Sequence, residues 1–331
     1  MKKRPLPHSA RAVRGLTLIE LMVSLTIGLV VMLAVLSTYL GSSKASRIAD
    51  AQGRMNEDAQ AALNVLSQQL RMAGNNPIQA NRTATAARNP LNALSDGTNI
   101  YDGSLYVVRG CDGKFSNITT TANISLLTCA AGTSTLPDSI AVFYEADRYN
   151  TVPTATGLPT DCLGQSLTTQ TAAVTAVNGT ATSAATASFF VADNRFYIGT
   201  SSAIVSPSLY CKGNGNATPQ PLVENVEDMQ FTYGTSPITS TATQVAGYLD
   251  AASLLTQTDL AALANDATRW SHVMTVRICV LMRSDNFVLD NAVSARYTKC
   301  DGTDETNPPD LRLRRAYSTT VVLRNRLTSF D

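Results

Sequence analysis

From Leu21 to Ser43 the chain carries no charged side chain over 23 positions. As helix that stretch is about 35 Å long, against a bilayer hydrocarbon core of about 30 Å, so it can span a membrane. The wider apolar run, Leu16 to Leu40, holds two ionisable side chains, Glu20 and Tyr39. Residues 1 to 15 contain Lys2, Lys3, Arg4, Arg11 and Arg14 and no acid, and no basic residue follows the run until Lys44. This asymmetry places the N-terminus in the cytoplasm and everything downstream outside it. Without its basic leader the chain is mildly acidic, 21 Lys+Arg against 25 Asp+Glu. That balance argues against broad nucleic-acid binding, which is driven by counterion release at a basic surface.

All six cysteines, Cys111, Cys129, Cys162, Cys211, Cys279 and Cys300, lie downstream of the span, and none forms a CxxC pair. In an exported chain an even count reads as disulfides. Fifteen pairings are open. The nearest-neighbour set (111 with 129, 162 with 211, 279 with 300) is the expected one, because each bond closes one local loop.

The apolar helix is expected to continue past the membrane. Ile48, Met55, Ala59, Ala62, Leu66, Leu70 and Ala73 follow helical spacing, with Arg47, Asp50, Arg54, Glu57 and Asp58 on other faces. Gly74 followed by Asn75, Asn76 and Pro77 is a stop signal. One helix is therefore predicted from about Leu16 to Ala73, apolar all round in its first half and striped in its second, with Gly28 as its weak point. Such a stripe packs on a sheet.

Beyond Pro77 the chain reads as β-rich. Ser104–Arg109, Ser139–Tyr144, Ser188–Ala192 and Arg195–Ile198 are predicted strands bounded by turn residues. Thr168 to Ala187, nearly all Thr and Ala, is read as a mobile loop or an irregular strand pair. In Leu222–Gly234 a turn leads into a strand, Asp259–Asp266 is a short helix, Trp270–Arg283 is a long strand, and the last segment from Leu311 is another. The expected architecture is α+β, with the long helix packed on an antiparallel sheet.

The sequence Arg14-Gly15-Leu16-Thr17-Leu18-Ile19-Glu20 resembles the processing site of type IV prepilins: a short basic leader ending in Gly, an apolar residue, and Glu fifth after the cut. Leu16 stands where that family usually has Phe. The resemblance implies that a prepilin peptidase cleaves after Gly15 and methylates the new amine of Leu16. It also implies that Glu20 meets the amine of a neighbouring subunit. An unpaired carboxylate inside an apolar run costs about 3 kcal/mol on insertion scales, so Glu20 needs a partner, and an amine at Leu16 lies on its own helix face.

Three further blocks, LVENVEDMQFTYG from Leu222, the VRIC segment between Trp270 and Ser284, and RLRRAYSTTVVLRNR near the end, resemble the PilW family of minor pilins. J-type minor pseudopilins of type II secretion share this layout. The resemblance implies a type IV pilin-like fold with an enlarged β-rich head. It divides the chain into a leader (1–15), a transmembrane and filament-core helix half (16–43), an amphipathic half (44–74), a variable head region (75–221) and a C-terminal sheet region (222–331). It implies a role in pilus assembly or initiation at or near the filament tip. The partners would be other minor pilins, the major pilin, the prepilin peptidase, the inner-membrane assembly machinery and a tip adhesin. The precursor would sit in the inner membrane with its head facing the periplasm, and would reach the cell surface on assembly. The alternatives are a secretion pseudopilin, or a membrane-anchored periplasmic adhesin or hydrolase that enters no filament.

No enzyme or cofactor is expected. Ser95, in Ala93–Gly97, is the nearest approach to a nucleophile elbow but lacks the strand-turn-helix context. His8 and His272 are the only histidines, and His272 falls in a predicted strand. Lys212-Gly-Asn-Gly-Asn is half a phosphate loop without a β-to-α unit. Asp301, Asp304, Glu305 and Asp310 could offer oxygen ligands to Ca²⁺, but they miss the EF-hand spacing and are read first as a solvated loop. Arg312, Arg314, Arg315, Arg324 and Arg326 are read as a polar sheet face rather than a nucleic-acid contact.

Overall fold

The computed structural model describes residues 15, 17–75, 106–120, 123–132, 135–178, 181–215, 218–237, 244–257, 260 and 266–326. The chain divides into two compact units, residues up to Asp50 and residues from Ala51 onward. One helix, α1, runs Leu18–Met72. It passes through Gly28 without a break. Nothing lies within 4 Å of a Cβ built at Gly28, so neither packing nor strain interrupts it there.

In the first unit the apolar side chains from Leu18 to Leu40 are exposed. Four serine and threonine hydroxyls among them are satisfied within the helix: Ser24 donates to the Glu20 carbonyl at 2.6 Å, Thr26 to Val23 at 2.9 Å, and Ser37 and Thr38 to Ala34 at 2.9 Å. A helix with its backbone and hydroxyl donors paired internally can enter lipid without orphaned polar groups.

The second unit is an α+β head. Its helical part buries Met55, Ala59, Ala62, Leu66, Leu70 and Ala73, the stripe expected from the spacing. Two antiparallel sheets share this core. The first contains β1 (Val108–Cys111), β2 (Ser139–Ala146), β3 (Thr169–Asn178), β4 (Ala181–Gly199), β5 (Ser208–Lys212) and β6 (Gln220–Glu224), in the order β1-β2-β4-β5-β6, with β3 paired to β4. The second is built of β7 (Val226–Thr235), β8 (Gly247–Leu249), β9 (Val273–Phe287) and β12 (Arg312–Val322), in the order β12-β9-β7-β8. Between them in sequence lie α2 (Ala251–Thr256), α3 (Asp266–Ser271) and a small ladder of β10 (Tyr297–Thr298) with β11 (Asp304–Glu305).

Polar side chains on α1 reach both sheets. Gln69 accepts hydrogen bonds from Tyr144 (3.3 Å) and Asn194 (2.8 Å) in the first sheet, and Asn56 accepts one from Tyr317 (2.5 Å) in the second. The helix closes at Gly74, whose φ of 69° suits a residue without Cβ and whose N–H donates to the Phe143 carbonyl at 2.9 Å. Two acids tie distant segments together: buried Asp138, just before β2, reaches β7, and half-buried Asp112 reaches the start of α2. Asp138 accepts the N–H groups of Gly113 and Phe231, each at 2.8 Å, and Asp112 accepts those of Ala251 and Ala252 at 2.9 and 2.8 Å.

Several elements differ from their sequence reading. Ser188–Ala192 and Arg195–Ile198 belong to one 19-residue strand, β4. Asp193 and Asn194, read as turn residues, are buried in mid-strand, because Arg195 neutralises Asp193 and Gln69 receives Asn194. Thr168–Ala187 forms a regular hairpin, with ten consecutive pairs from Thr169↔Phe190 to Asn178↔Ala181. Leu222–Gly234 serves both sheets, since the chain leaves β6 and enters β7 through Asn225 at φ 60°, a conformation Asn tolerates. Trp270 lies in α3 rather than in the strand, which begins at Val273; its ring packs edge-on against Tyr233 at 4.8 Å. The first predicted strand begins at Val108, with Ser104 and Leu105 outside the described residues. Of the Asp259–Asp266 helix only Leu260 and Asp266 are described, and α3 starts at the latter.

Candidate functional site at the start of the helix

The N-terminus of α1 is built by the four residues Thr17 to Glu20. The first N–H groups of any helix lack intrahelical partners. Here Thr17 precedes the helix and its Oγ1 accepts the Glu20 N–H at 3.3 Å, while Glu20 Oε2 accepts the Thr17 N–H at 3.0 Å and the Thr17 hydroxyl at 2.9 Å. This is a reciprocal capping box. The Thr-x-x-Glu spacing that signals it stands in the sequence. Both residues are exposed, and Glu20 Oε1 accepts no hydrogen bond among the described residues.

The arrangement has a chemical consequence. One carboxylate oxygen fixes the first helical turn, at the positive end of the helix, where a negative charge is favoured. Gly15 is exposed, with nothing within 4 Å of a Cβ built on it. Leu16 and residues 1–14 lie outside the described residues.

The remaining candidates are dispersed over the head. Cys111 is joined to Cys129, Cys162 to Cys211 and Cys279 to Cys300, with Cα separations of 5.5, 6.6 and 5.7 Å. Each bond ties a long loop to a strand: the first to the end of β1, the second to β5, the third to β9.

The acidic loop is internally committed. Asp301 accepts the N–H and hydroxyl of Thr303, Asp304 accepts the Thr298 hydroxyl, and Glu305 pairs with Lys299 at 3.0 Å and accepts the Asn307 N–H. The bonds from Thr303 hold Asp301 below the usual carboxylate range, and those from Asn307 and Lys299 do the same for Glu305. Burial opposes the charge of Asp310, but hydrogen bonds from Arg314 and Arg312 outweigh it and hold that carboxyl well down. Among the described residues no three His, Cys, Asp or Glu side chains converge as metal ligands.

Arg314, with its side chain 1% exposed, lies between Glu227 (2.5 Å) and Asp310 (2.7 Å), and Arg312 pairs with Asp310 at 3.0 Å. Arg315 lies over the ring of Tyr317. Through Glu227, Arg314 ties β12 to β7. Ser95 and His8 lie outside the described residues. His272 follows α3 in a turn and places Nδ1 3.2 Å from the Ser236 hydroxyl.

Comparison with known proteins locates similarity at both ends of the chain. Residues 195–325, from the middle of β4 through the second sheet, match the family of Type IV Pilus-assembly protein W. Residues 10–36 match the prokaryotic N-terminal methylation motif, which takes in Gly15, Leu16 and the capping box. No curated protein and no solved structure matches. The two matches bear out the resemblance to PilW-family minor pilins and support a type IV pilus minor pilin role.

Proposed function

We propose that this chain, with an N-terminal methylation motif and a PilW-type second sheet, is a minor pilin that takes part in type IV pilus assembly or initiation and ends at or near the filament tip. The observation that carries the reading is the coexistence in one chain of the match at residues 10–36 and the match at residues 195–325. The precursor is held in the inner membrane by the uncharged stretch from Leu21 to Ser43, N-terminus in the cytoplasm. A prepilin peptidase cuts between Gly15 and Leu16. The new amine lies four residues from Glu20, and in the filament the carboxylate, already anchored through Oε2, meets the amine of a neighbouring pilin. Assembly, not catalysis, is the activity.

The division of labour follows the chain. Residues 1–15 are the leader, 16–43 the lipid and filament-core half of the helix, and 44–74 its amphipathic half. Residues 75–221 form the variable head and 222–331 the PilW-type sheet region. The partners are other minor pilins, the major pilin, the peptidase, the inner-membrane machinery and a tip adhesin.

The test is the mass of the N-terminal peptide from membrane-extracted protein in cells with and without the peptidase. The expected result is a peptide beginning at N-methylated Leu16 only when the peptidase is present. An intact Met1 leader in both strains, or a cut beyond Leu40, overturns the reading.

A further inference from the structure

The second sheet sets two arginines directly opposite each other. Arg283 of β9 pairs across the ladder with Arg314 of β12, and on its other side β7 bulges at Glu227, where the register shifts between Val226 and Asp228. Like charges in opposite positions are destabilising unless something compensates them. Arg314 is compensated: it donates to both oxygens of Glu227 and to Oδ1 of Asp310. Arg312 takes what remains, donating its backbone N–H to Asp310 Oδ1 and its guanidinium to Oδ2. All four carboxylate oxygens of Glu227 and Asp310 therefore serve Arg312 and Arg314.

Arg283 is left over. Its Nε is buried and has no hydrogen-bond acceptor among the described residues, and no ion pair joins its guanidinium to a carboxylate among them. Burial draws its pKa down and the repulsion of Arg312 and Arg314 adds to this, while Glu227 and Asp310 pull the other way. An arginine stays charged all the same. The charged groups that act on Arg283 are those four, so the cluster holds three cations and two anions and carries one uncompensated positive charge. Arg283 is half-buried, which leaves part of it open to solvent. A buried donor without an acceptor is costly, and the guanidinium fork matches the two oxygens of a carboxylate.

We infer that Arg283, with Arg312 and Arg314 beside it, forms an anion-binding site on the second sheet that takes one carboxylate group as its ligand. The excess of one charge selects the class of ligand. A carboxylate neutralises it, whereas a phosphate, with nearly two charges at neutral pH, overfills it. A small carboxylic acid and an acidic side chain of another protein present the same two oxygens. The site is built from the head alone and does not depend on the pilus reading.

The test uses the full-length chain in uncharged detergent micelles, titrated with sodium acetate against sodium chloride at equal ionic strength. The side-chain Nε–H resonance of Arg283, assigned by its loss in Arg283→Met, is expected to move saturably with acetate. The thermal midpoint of the head is expected to rise by about 1–3 °C at about three times Kd. Arg283→Met keeps an apolar stem and removes the charge, so acetate should give it no rise over chloride, and its midpoint in chloride should equal or exceed that of the wild type. Arg277→Gln, on the same strand, should keep the full acetate response. Retention of the three disulfides and of the far-ultraviolet spectrum shows that each variant is folded. A resonance that does not move, an acetate response that survives in Arg283→Met, a preference for phosphate over acetate, or an Arg283→Met midpoint in chloride well below the wild type would each overturn the proposal. The source of the ligand is read with a photo-crosslinking residue at the exposed position of Asp285 in whole cells. A protein adduct that is lost in Arg283→Met assigns the carboxylate to a protein partner, and a saturable acetate response without such an adduct assigns it to a small molecule.

Discussion

Asp138 is buried, and its two oxygens accept backbone N–H groups, one from Gly113 in the loop after β1 and one from Phe231 in β7. Burial pushes its pKa up to about 7; the bonds from Gly113 and Phe231 pull the other way, and Asp112 and Asp228 add repulsion. Its folded pKa thus stands above its unfolded value near 4, so the folded state holds the proton more tightly. The resulting stability is fully present below about pH 4 and is lost as pH rises through about 7. Asp138→Asn cannot titrate, but it turns an NH₂ group toward one N–H donor, a cost that is the same at all pH. Urea unfolding from pH 4 to 8 should therefore show the wild-type advantage over the variant shrinking, by a few kcal/mol at most. An advantage that grows with pH would refute this assignment.

A second residue-scale constraint is steric. A Cβ at Gly110 would stand 1.8 Å from the hydroxyl oxygen of Tyr233, which is itself buried and has no hydrogen-bond partner among the described residues. Gly110→Ala should cost about 1–3 kcal/mol by overpacking. Tyr233→Phe, which removes a polar group that gains nothing, should be neutral or stabilising and should relieve part of the Gly110→Ala cost in the double variant. Thermal denaturation of the four proteins closes that cycle. Additive effects would show that the two sites do not meet.

At the scale of the element, the two halves of α1 obey different solvents. Leu66 is 1% exposed within the head core, whereas Leu36 is 51% exposed in the apolar half. Leu66→Ala should destabilise the head by about 2–5 kcal/mol through lost burial and a residual cavity. Leu36→Ala should leave head unfolding unchanged and act only on membrane or filament packing. Chemical denaturation in micelles, followed by Trp270 fluorescence, distinguishes them, and equal effects would mean that the helix is not divided in this way. Helical spacing revealed the buried stripe because one face of the helix meets the sheets, and 3.6-residue periodicity records that directly. The capping box was equally legible, as Thr17 and Glu20 are three residues apart. Asp193 and Asn194 were misleading for the opposite reason: their partners, Arg195 and Gln69, become relevant only once β4 is in place.

For the whole molecule, the helix is long and apolar enough to cross a membrane over its first half. All three disulfides fall in the second unit. A fragment from Lys44 to Asp331 should be soluble without detergent and retain the three bonds, whereas the full chain should require micelles. Partition into detergent with the apolar run removed would count against the membrane assignment. Local pattern determined the span, the leader charge, the amphipathic stripe, the Gly74 stop and the order of most strands, since each depends on residues close in sequence. Tertiary structure alone decided the distribution of strands between two sheets, the pivot at Asn225, the continuity of β4, and the link from Asp138 to β7. These depend on groups far apart in the chain, such as Asp138 and Phe231, and a buried polar residue looks like a turn until the fold brings it a partner.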